Sequence, residues 1–204
     1  MQITTGLHAI LSTPAIYDFT QSVMGAGELR HEIADKFFDR KTPIRVLDVG
    51  CGTAAILDYL PSDVIYFGFD ISQPYIEHAR QKYSGRGEFF CELLDIERLH
   101  TLPKFDVVLA IGVLHHLDDA EARHLMQLGV QCLDDGGRFV SIDPCFAEKQ
   151  NPVARFLISR DRGQNVRTQG GYQSLSEGIF STVRGELRHR AWIPYTHWFM
   201  ECVK

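Results

Sequence analysis

At 204 residues the chain is long enough to bury a sizeable core and of a length that predicts one domain. Its formal net charge of −5 argues against bulk binding to nucleic-acid phosphate, which wants a basic surface. No apolar run reaches bilayer-spanning length and the amino terminus lacks a charged-then-apolar signal pattern, so a cytoplasmic protein without membrane insertion is expected.

Glu28 to Phe38 reads as an amphipathic helix with Leu29, Ile33 and Phe37 on one face. Pro43 then introduces a first strand, and the apolar run from Arg45 ends in Asp48-Val49-Gly50-Cys51-Gly52-Thr53. Glycines there let the backbone turn tightly and approach a ligand. Good helix formers from Ala54 to Leu60 predict a following helix, stopped by Pro61. The run Val64–Phe69 is a second strand ending at Asp70. Ser72 is placed to cap a helix with Pro74 in its first turn, running to about Lys82.

Ser84 to Gly87 predicts a turn into a third strand, Glu88–Leu94, followed by Asp95. The fourth strand, Phe105–Gly112, leads into Val113-Leu-His-His-Leu117. Asp118 with Glu121 starts a helix like a capping box, and Ala122, Leu125, Met126, Gly129 and Leu133 recur on one face of it. Asp134 to Gly137 predicts a turn into a fifth strand that reaches Asp143. Residues 151–180 read as helical and loop-like, with Gly163 and Gly170-Gly171 as breaks. Two strand-like runs, Gly185–Ala191 and Thr196–Val203, flank Pro194. Such β–α alternation predicts a mostly parallel sheet covered by helices on both sides. Cys51, Cys91, Cys132, Cys145 and Cys202 are odd in number and scattered without a C-x-x-C pair, which predicts reduced thiols and neither disulfides nor a zinc site.

Gly50-x-Gly52-x-x-Ala55 by itself also satisfies the relaxed dinucleotide fingerprint. With Asp48 before it, and Asp70, Asp95, the His115-His116 strand end and Leu133–Asp143 following in order, the set closely resembles the class I S-adenosylmethionine-dependent methyltransferases, particularly their small-molecule branch. The resemblance covers roughly residues 45–145. It implies a Rossmann-like, doubly wound α/β fold with a mostly parallel seven-stranded sheet and an antiparallel carboxyl-terminal hairpin. It also implies a single methyltransferase domain over residues 1–204, divided into an amino-terminal helical cap (1–42), a cofactor-binding core (43–145) and acceptor-side helices with the hairpin (146–204).

The implied cofactor is S-adenosylmethionine, with S-adenosylhomocysteine as product. By the resemblance, Gly50, Cys51 and Gly52 approach its methionyl and ribose portion and Asp48 orients that loop. Asp70 accepts from ribose hydroxyls, Ile71 packs on the adenine, Asp95 with Ile96 beside it takes the adenine amino group, and Ile111 borders the site. Tyr17 resembles the aromatic that covers the cofactor from the amino-terminal side. Each aspartate has a plainer reading, since a strand-ending aspartate is often a helix or turn cap. Cys51 needs only to be small.

The sulfonium methyl is already activated, so a base is needed only where the acceptor must lose a proton. His115 and His116 are the candidates for that role, with capping or packing beneath the next helix as the alternative. Seven arginines between Arg155 and Arg190, with no lysine, suggest two readings. In one, Arg160 and Arg162 form a basic lid lip for an anionic acceptor. In the other, which is favoured, the stretch is a solvated face with internal pairs such as Asp161 with its neighbouring arginines. Tyr195 and His197 are further pocket candidates. No metal is expected, because the fourth strand ends in Ile111-Gly112 and Asp143 alone makes no magnesium site.

The function this implies is methyl transfer to an oxygen, nitrogen or carbon nucleophile of a small molecule. The carboxyl-terminal segment resembles methyltransferases of bacterial natural-product and polysaccharide clusters, which points to a secondary-metabolite or sugar-linked acceptor. The fourth strand is followed by no Asn-Pro-Pro-Tyr-type signature of nucleobase-methylating relatives. The rival readings are an NAD(P)-dependent oxidoreductase, which has no use for Asp95, and a catalytically silent scaffold of the same fold.

Overall fold

The computed structural model describes residues 26–38, 43–161, 163–190 and 194–204. The chain divides into two compact units, one ending at Leu93 and one running from Leu94 to Lys204. Strand order within the first unit is β3 (Glu88–Phe90), β2 (Ile65–Phe69), β1 (Arg45–Val49), and within the second β4 (Phe105–Ile111), β5 (Leu133–Phe146), β8 (Tyr195–Val203), β7 (Thr182–Arg190), with the two-residue β6 (Arg167–Thr168) beside β5.

In the first unit, α1 (Ala26–Phe37) buries Leu29, Ile33 and Phe37, as their four-residue spacing requires. Strands β1 (Arg45–Val49), β2 (Ile65–Phe69) and β3 (Glu88–Phe90) are parallel, with Val46 opposite Tyr66 and Asp48 opposite Gly68. The third strand stops at Phe90, short of the expected Leu94. Helix α2 (Gln73–Lys82) begins where Pro74 predicts, but Ser72 caps it by position only and its side chain makes no capping bond.

The full helix expected over Ala54–Leu60 does not form. Ala54 adopts a left-handed φ of 55°, and only a 3-10 turn, Ala55–Asp58, follows it. Helix propensity there loses to the loop geometry that precedes it. Ala55, Ile56 and Leu57 are nonetheless buried, so the apolar content serves packing without a helical period.

The second unit contains α3 (Ile96–Leu99), β4 (Phe105–Ile111), a 3-10 turn at Leu114–His116 and α4 (Asp119–Cys132). It continues with β5 (Leu133–Phe146), α5 (Pro152–Ser159), β6 (Arg167–Thr168), α6 (Gln169–Ser176), β7 (Thr182–Arg190) and β8 (Tyr195–Val203). The capping box of Asp118 and Glu121 is fully formed, and Ala122, Leu125, Met126 and Gly129 face inward. β4 and β5 are parallel, and the expected turn at residues 134–137 is instead an irregularity inside β5 that shifts the register between Phe105 and Val107. β8 runs antiparallel to β5 and to β7, forming the closing hairpin. Gly170 and Gly171 do not break the chain. They lie in the first turn of α6, where Thr168 accepts the Gly171 N–H at 3.3 Å. The core of this unit is Phe105, Val108, Leu109, Phe139, Val140, Phe199 and Met200. Among the described residues no helix is long and apolar enough to cross a membrane.

Candidate functional site

The loop after β1 is built almost entirely from backbone. Gly50 and Gly52 both take positive φ, 71° and 55°, which a side chain would strain. The N–H groups of Gly50 and Cys51 both donate to the Phe69 carbonyl at the end of β2, at 2.8 and 3.0 Å. Asp70 closes the structure: its Oδ2 accepts the Gly52 N–H at 2.9 Å and its Oδ1 accepts the Ser72 N–H at 2.8 Å. One carboxylate thus ties the glycine loop to the start of α2. Each oxygen carries one of these bonds and keeps capacity for a second. Ile71 beside it leaves 66% of its surface exposed.

Asp48 lies beneath this loop, buried, and accepts a 2.6 Å bond from the Tyr66 hydroxyl. Burial pushes its carboxyl up to about 7, against the Tyr66 bond, and the nearby Asp70 charge adds to the rise. Burial also raises Asp70, only partly offset by the Ser72 and Gly52 N–H bonds. The Cys51 thiol is held well above its usual range by burial and then by the charges of Asp48 and Asp70, which leaves it a poor nucleophile.

In the second unit, Asp95 caps α3, its Oδ1 accepting the Arg98 N–H at 2.8 Å, and Ile96 is exposed next to it. Ile111 is half-buried at the end of β4. The most connected side chain here is His115, which is 6% exposed. Its Nδ1 and its backbone N–H both donate to Asp143 Oδ1, at 2.9 and 3.1 Å. Its Nε2 stands 3.3 Å from Asp161 Oδ1. Asp161 in turn accepts the Tyr195 hydroxyl on Oδ2 at 2.5 Å and the Gly163 N–H on Oδ1 at 2.8 Å.

Burial opposes a charged imidazole, but the bonds from Asp143 and Asp161 outweigh it and lift His115 to about 9. Burial likewise opposes the Asp161 carboxylate, and the bonds from His115 and Tyr195 overcome it, holding Asp161 well below the usual carboxylate range. At neutral pH His115 is therefore an imidazolium, Asp161 a carboxylate and Tyr195 a phenol. Both ring nitrogens of His115 are engaged, so in this state neither offers a lone pair.

His116 is exposed, its ring centroid 4.1 Å from that of His115. Tyr195 is buried and His197 half-buried, their ring centroids 5.0 Å apart. Arg160 is exposed and lies over the Phe156 ring. Asp161, expected to pair with its neighbouring arginines, meets His115 and Tyr195 among the described residues. Tyr17 and Arg162 fall outside the described residues.

The matches to known proteins fit this arrangement. A family model described as a methyltransferase domain matches residues 47–139, from within β1 to within β5. Over that stretch, 93 of the 204 residues, the chain is similar to a methyltransferase domain. A relative in Mus musculus, named "Probable tRNA methyltransferase 9B", is 37% identical over 89 residues, covering 42% of this chain and 18% of its own length. The malonyl-[acyl-carrier protein] O-methyltransferase of Acetivibrio thermocellus is 35% identical over 86 residues, covering 40% of this chain and 29% of its own length. This chain therefore spans less than a third of these curated relatives. Human N-acetylserotonin methyltransferase, solved in complex with S-adenosylmethionine, shares the fold at 19% identity, with a TM-score of 0.66 over 96% of this chain and 58% of that one.

Several residues of the second cluster escape a reading of the sequence. Asp143 is separated from His115 by 28 positions and Tyr195 from Asp161 by 34. Arg167 belongs to it as well: its side chain, 10% exposed, donates to the carbonyls of Leu114, Leu117 and Asn165 at 2.8–2.9 Å. It pins the His115 turn to the segment that carries Asp161. Of all these, only Asp161-x-Gly163 carries a local signal, an aspartate whose side chain takes the N–H two residues on.

Proposed function

We propose that this chain is an S-adenosylmethionine-dependent methyltransferase acting on a small molecule through an oxygen, nitrogen or carbon nucleophile. The observation that carries the reading is the left-handed Gly50–Gly52 loop with Asp70 tied to it, inside the segment that the family model matches. These residues suit the cofactor chemically. Backbone without side chains admits a close approach, the spare acceptor capacity of Asp70 matches a pair of ribose hydroxyls, and exposed Ile71 offers an apolar surface to a base. Asp95 and Ile96 offer the same pairing of carboxylate and apolar side chain at the start of α3.

When bound, the cofactor supplies a methyl already activated on sulfur. The protein's task is then to hold it by the loop, align a nucleophile in line with it and exclude water. His115 and His116, following β4, are the residues for the acceptor side. The net charge of −5 favours a small acceptor over a polyanion such as nucleic acid. Exposed Arg155 and Arg160 on α5 suit an anionic or sugar-linked acceptor. The free thiols among the described residues suit a reducing, cytoplasmic compartment.

Calorimetric titration of the full chain with S-adenosylmethionine and S-adenosylhomocysteine tests this, with NADH and NADPH as controls. Binding of the first two alone is expected. Binding of a nicotinamide cofactor instead would make the chain an oxidoreductase, and silence from all four would leave it a scaffold.

A further inference from the structure

Among the described residues the segment between α5 and β6 gathers its long-range ties around the His115 turn. Asp161 reaches His115 Nε2, the Asn165 N–H donates to the His115 carbonyl at 3.0 Å, and Tyr195 donates to Asp161 from β8. Gly163 lies flat against the imidazole: a Cβ there would stand 1.9 Å from His115 Cδ2 and 2.7 Å from its carbonyl oxygen. The segment is thus a strap shaped to the His115 ring, and Asp161 occupies the nitrogen that an acceptor proton would need.

We propose that Asp161 is the latch of this strap: it holds His115 Nε2 while the strap is closed and gives it up to the acceptor when the strap lifts. His115 is then a positioning residue in the closed state, and the Asp143–His115 pair can accept a proton only in the open one. The exchange conserves bonds. Nε2–H leaves Asp161, the imidazolium releases that proton to solvent, and the freed nitrogen takes the proton of the acceptor. The acceptor half of the proposal rests on the methyl-transfer reading, whereas the latch itself does not.

The charged and titratable groups around the ring agree on the direction. Asp143 faces it from β5, Asp161 from the strap, Tyr195 from β8 through Asp161, and His116 from the adjoining position. Arg167 is directed at the carbonyls of the His115 turn and at Asp119, not at the imidazole. Tyr172 donates to the Pro144 carbonyl, next to Asp143, and so lies one residue removed. Among the described residues two carboxylates and no cation face the ring, which makes the latch strongest while His115 is charged. Because the folded His115 titrates above its ordinary value of 6.5, the latch is complete below about that pH and is lost as pH rises through about 9.

Solution NMR of the full chain with isotope-labelled histidine, with no acceptor present, compares the wild type with Asp161→Asn. In the wild type the His115 ring should titrate near 9. In the variant it should titrate about one to three pH units lower, as expected when one of two adjacent charges is removed. The amides of Gly163 and Asn165 should exchange about tenfold faster, while those of β7 and β8 stay as they were. An unchanged ring titration overturns the latch. So does faster exchange throughout the β7–β8 hairpin, which would mark Asp161 as a general structural support. Calorimetry with S-adenosylhomocysteine on the same two proteins should give equal affinities. Absence of binding to the wild type would sink the methyl-transfer reading, while the latch would still stand or fall on the NMR result.

Discussion

The glycine loop of the first unit and the His115 cluster of the second are both acidic and each is built on a buried carboxyl group, Asp48 and Asp143, yet their charges are balanced in opposite ways. Among the described residues Asp48 and Asp70 have no cation in hydrogen-bonding contact, and burial raises both, Asp48 to about 7 against the weaker pull of Arg30. Asp161 has a charged imidazole against it and is lowered. The first region holds negative charge at a cost and gains from any positive or hydrogen-bond-donating ligand. The second pairs its imidazolium internally, leaving only Asp143 Oδ2 of that cluster without a partner among the described residues, and must break a bond before His115 can act. An unsatisfied acidic loop is where a ligand adds stability; a satisfied ion pair is where the protein stores a closed state.

The largest effect on this contrast should come from Asp70→Ala. It removes both the tie to Gly52 and the spare acceptor capacity, and cofactor affinity should fall by about a hundredfold, near 3 kcal/mol. Calorimetry on the variant, with far-ultraviolet circular dichroism to verify folding, makes the measurement; wild-type affinity would remove Asp70 from the site. Next is Arg167→Ala, which strips three carbonyls of a charged, nearly buried donor. A loss of about 2–3 kcal/mol in urea unfolding is expected, chiefly from those carbonyl bonds, because Asp119 is too exposed to contribute much.

Asp48→Asn should act in the other direction. A carboxyl raised to about 7 in the fold, against 3.8 outside it, favours folding most below about pH 4, and that favour is lost as pH rises through 7. The ligand-free variant should therefore gain on the order of 2 kcal/mol over wild type at pH 8, with the gap closing between pH 7 and pH 4. Thermal melts across that range decide it. Equal stability at pH 8 would mean that Asp48 is not the strained group of the first unit.

How much of this could be read from the chain follows the range of each interaction. The α1 face, the Asp118–Glu121 box, the glycine loop and the strand–helix alternation are set by residues a few positions apart, and each is legible. Where local signals competed, the outcome turned on context. Ala54–Leu60 has helical composition, yet the left-handed Ala54 allows only a short turn. Gly170-Gly171 looks like a break, yet Thr168 caps a helix through it. Asp95 shows the limit of a strand-end aspartate, because its Oδ1 serves as the helix cap that such residues often provide. The His115 cluster was legible only as two histidines after a strand and, separately, Tyr195 as a pocket candidate. Its carboxylates and tyrosine arrive from three later segments, and nothing in the spacing of Asp143, Asp161 and Tyr195 announces that they meet.

That same spread has a kinetic side. The ties of the first unit, Gly52 to Asp70 and Tyr66 to Asp48, each close loops of 18 residues. The second unit's ties close loops of 28 to 53, and the last partner to be made, Tyr195, comes from β8. Loop-closure entropy alone makes the longest of these about 1 kcal/mol harder to form, and long-range contacts slow folding. During synthesis the glycine loop has all its partners long before His115 has its own. The first unit can thus take shape on the ribosome while the strap stays loose, and the latch sets after the glycine loop.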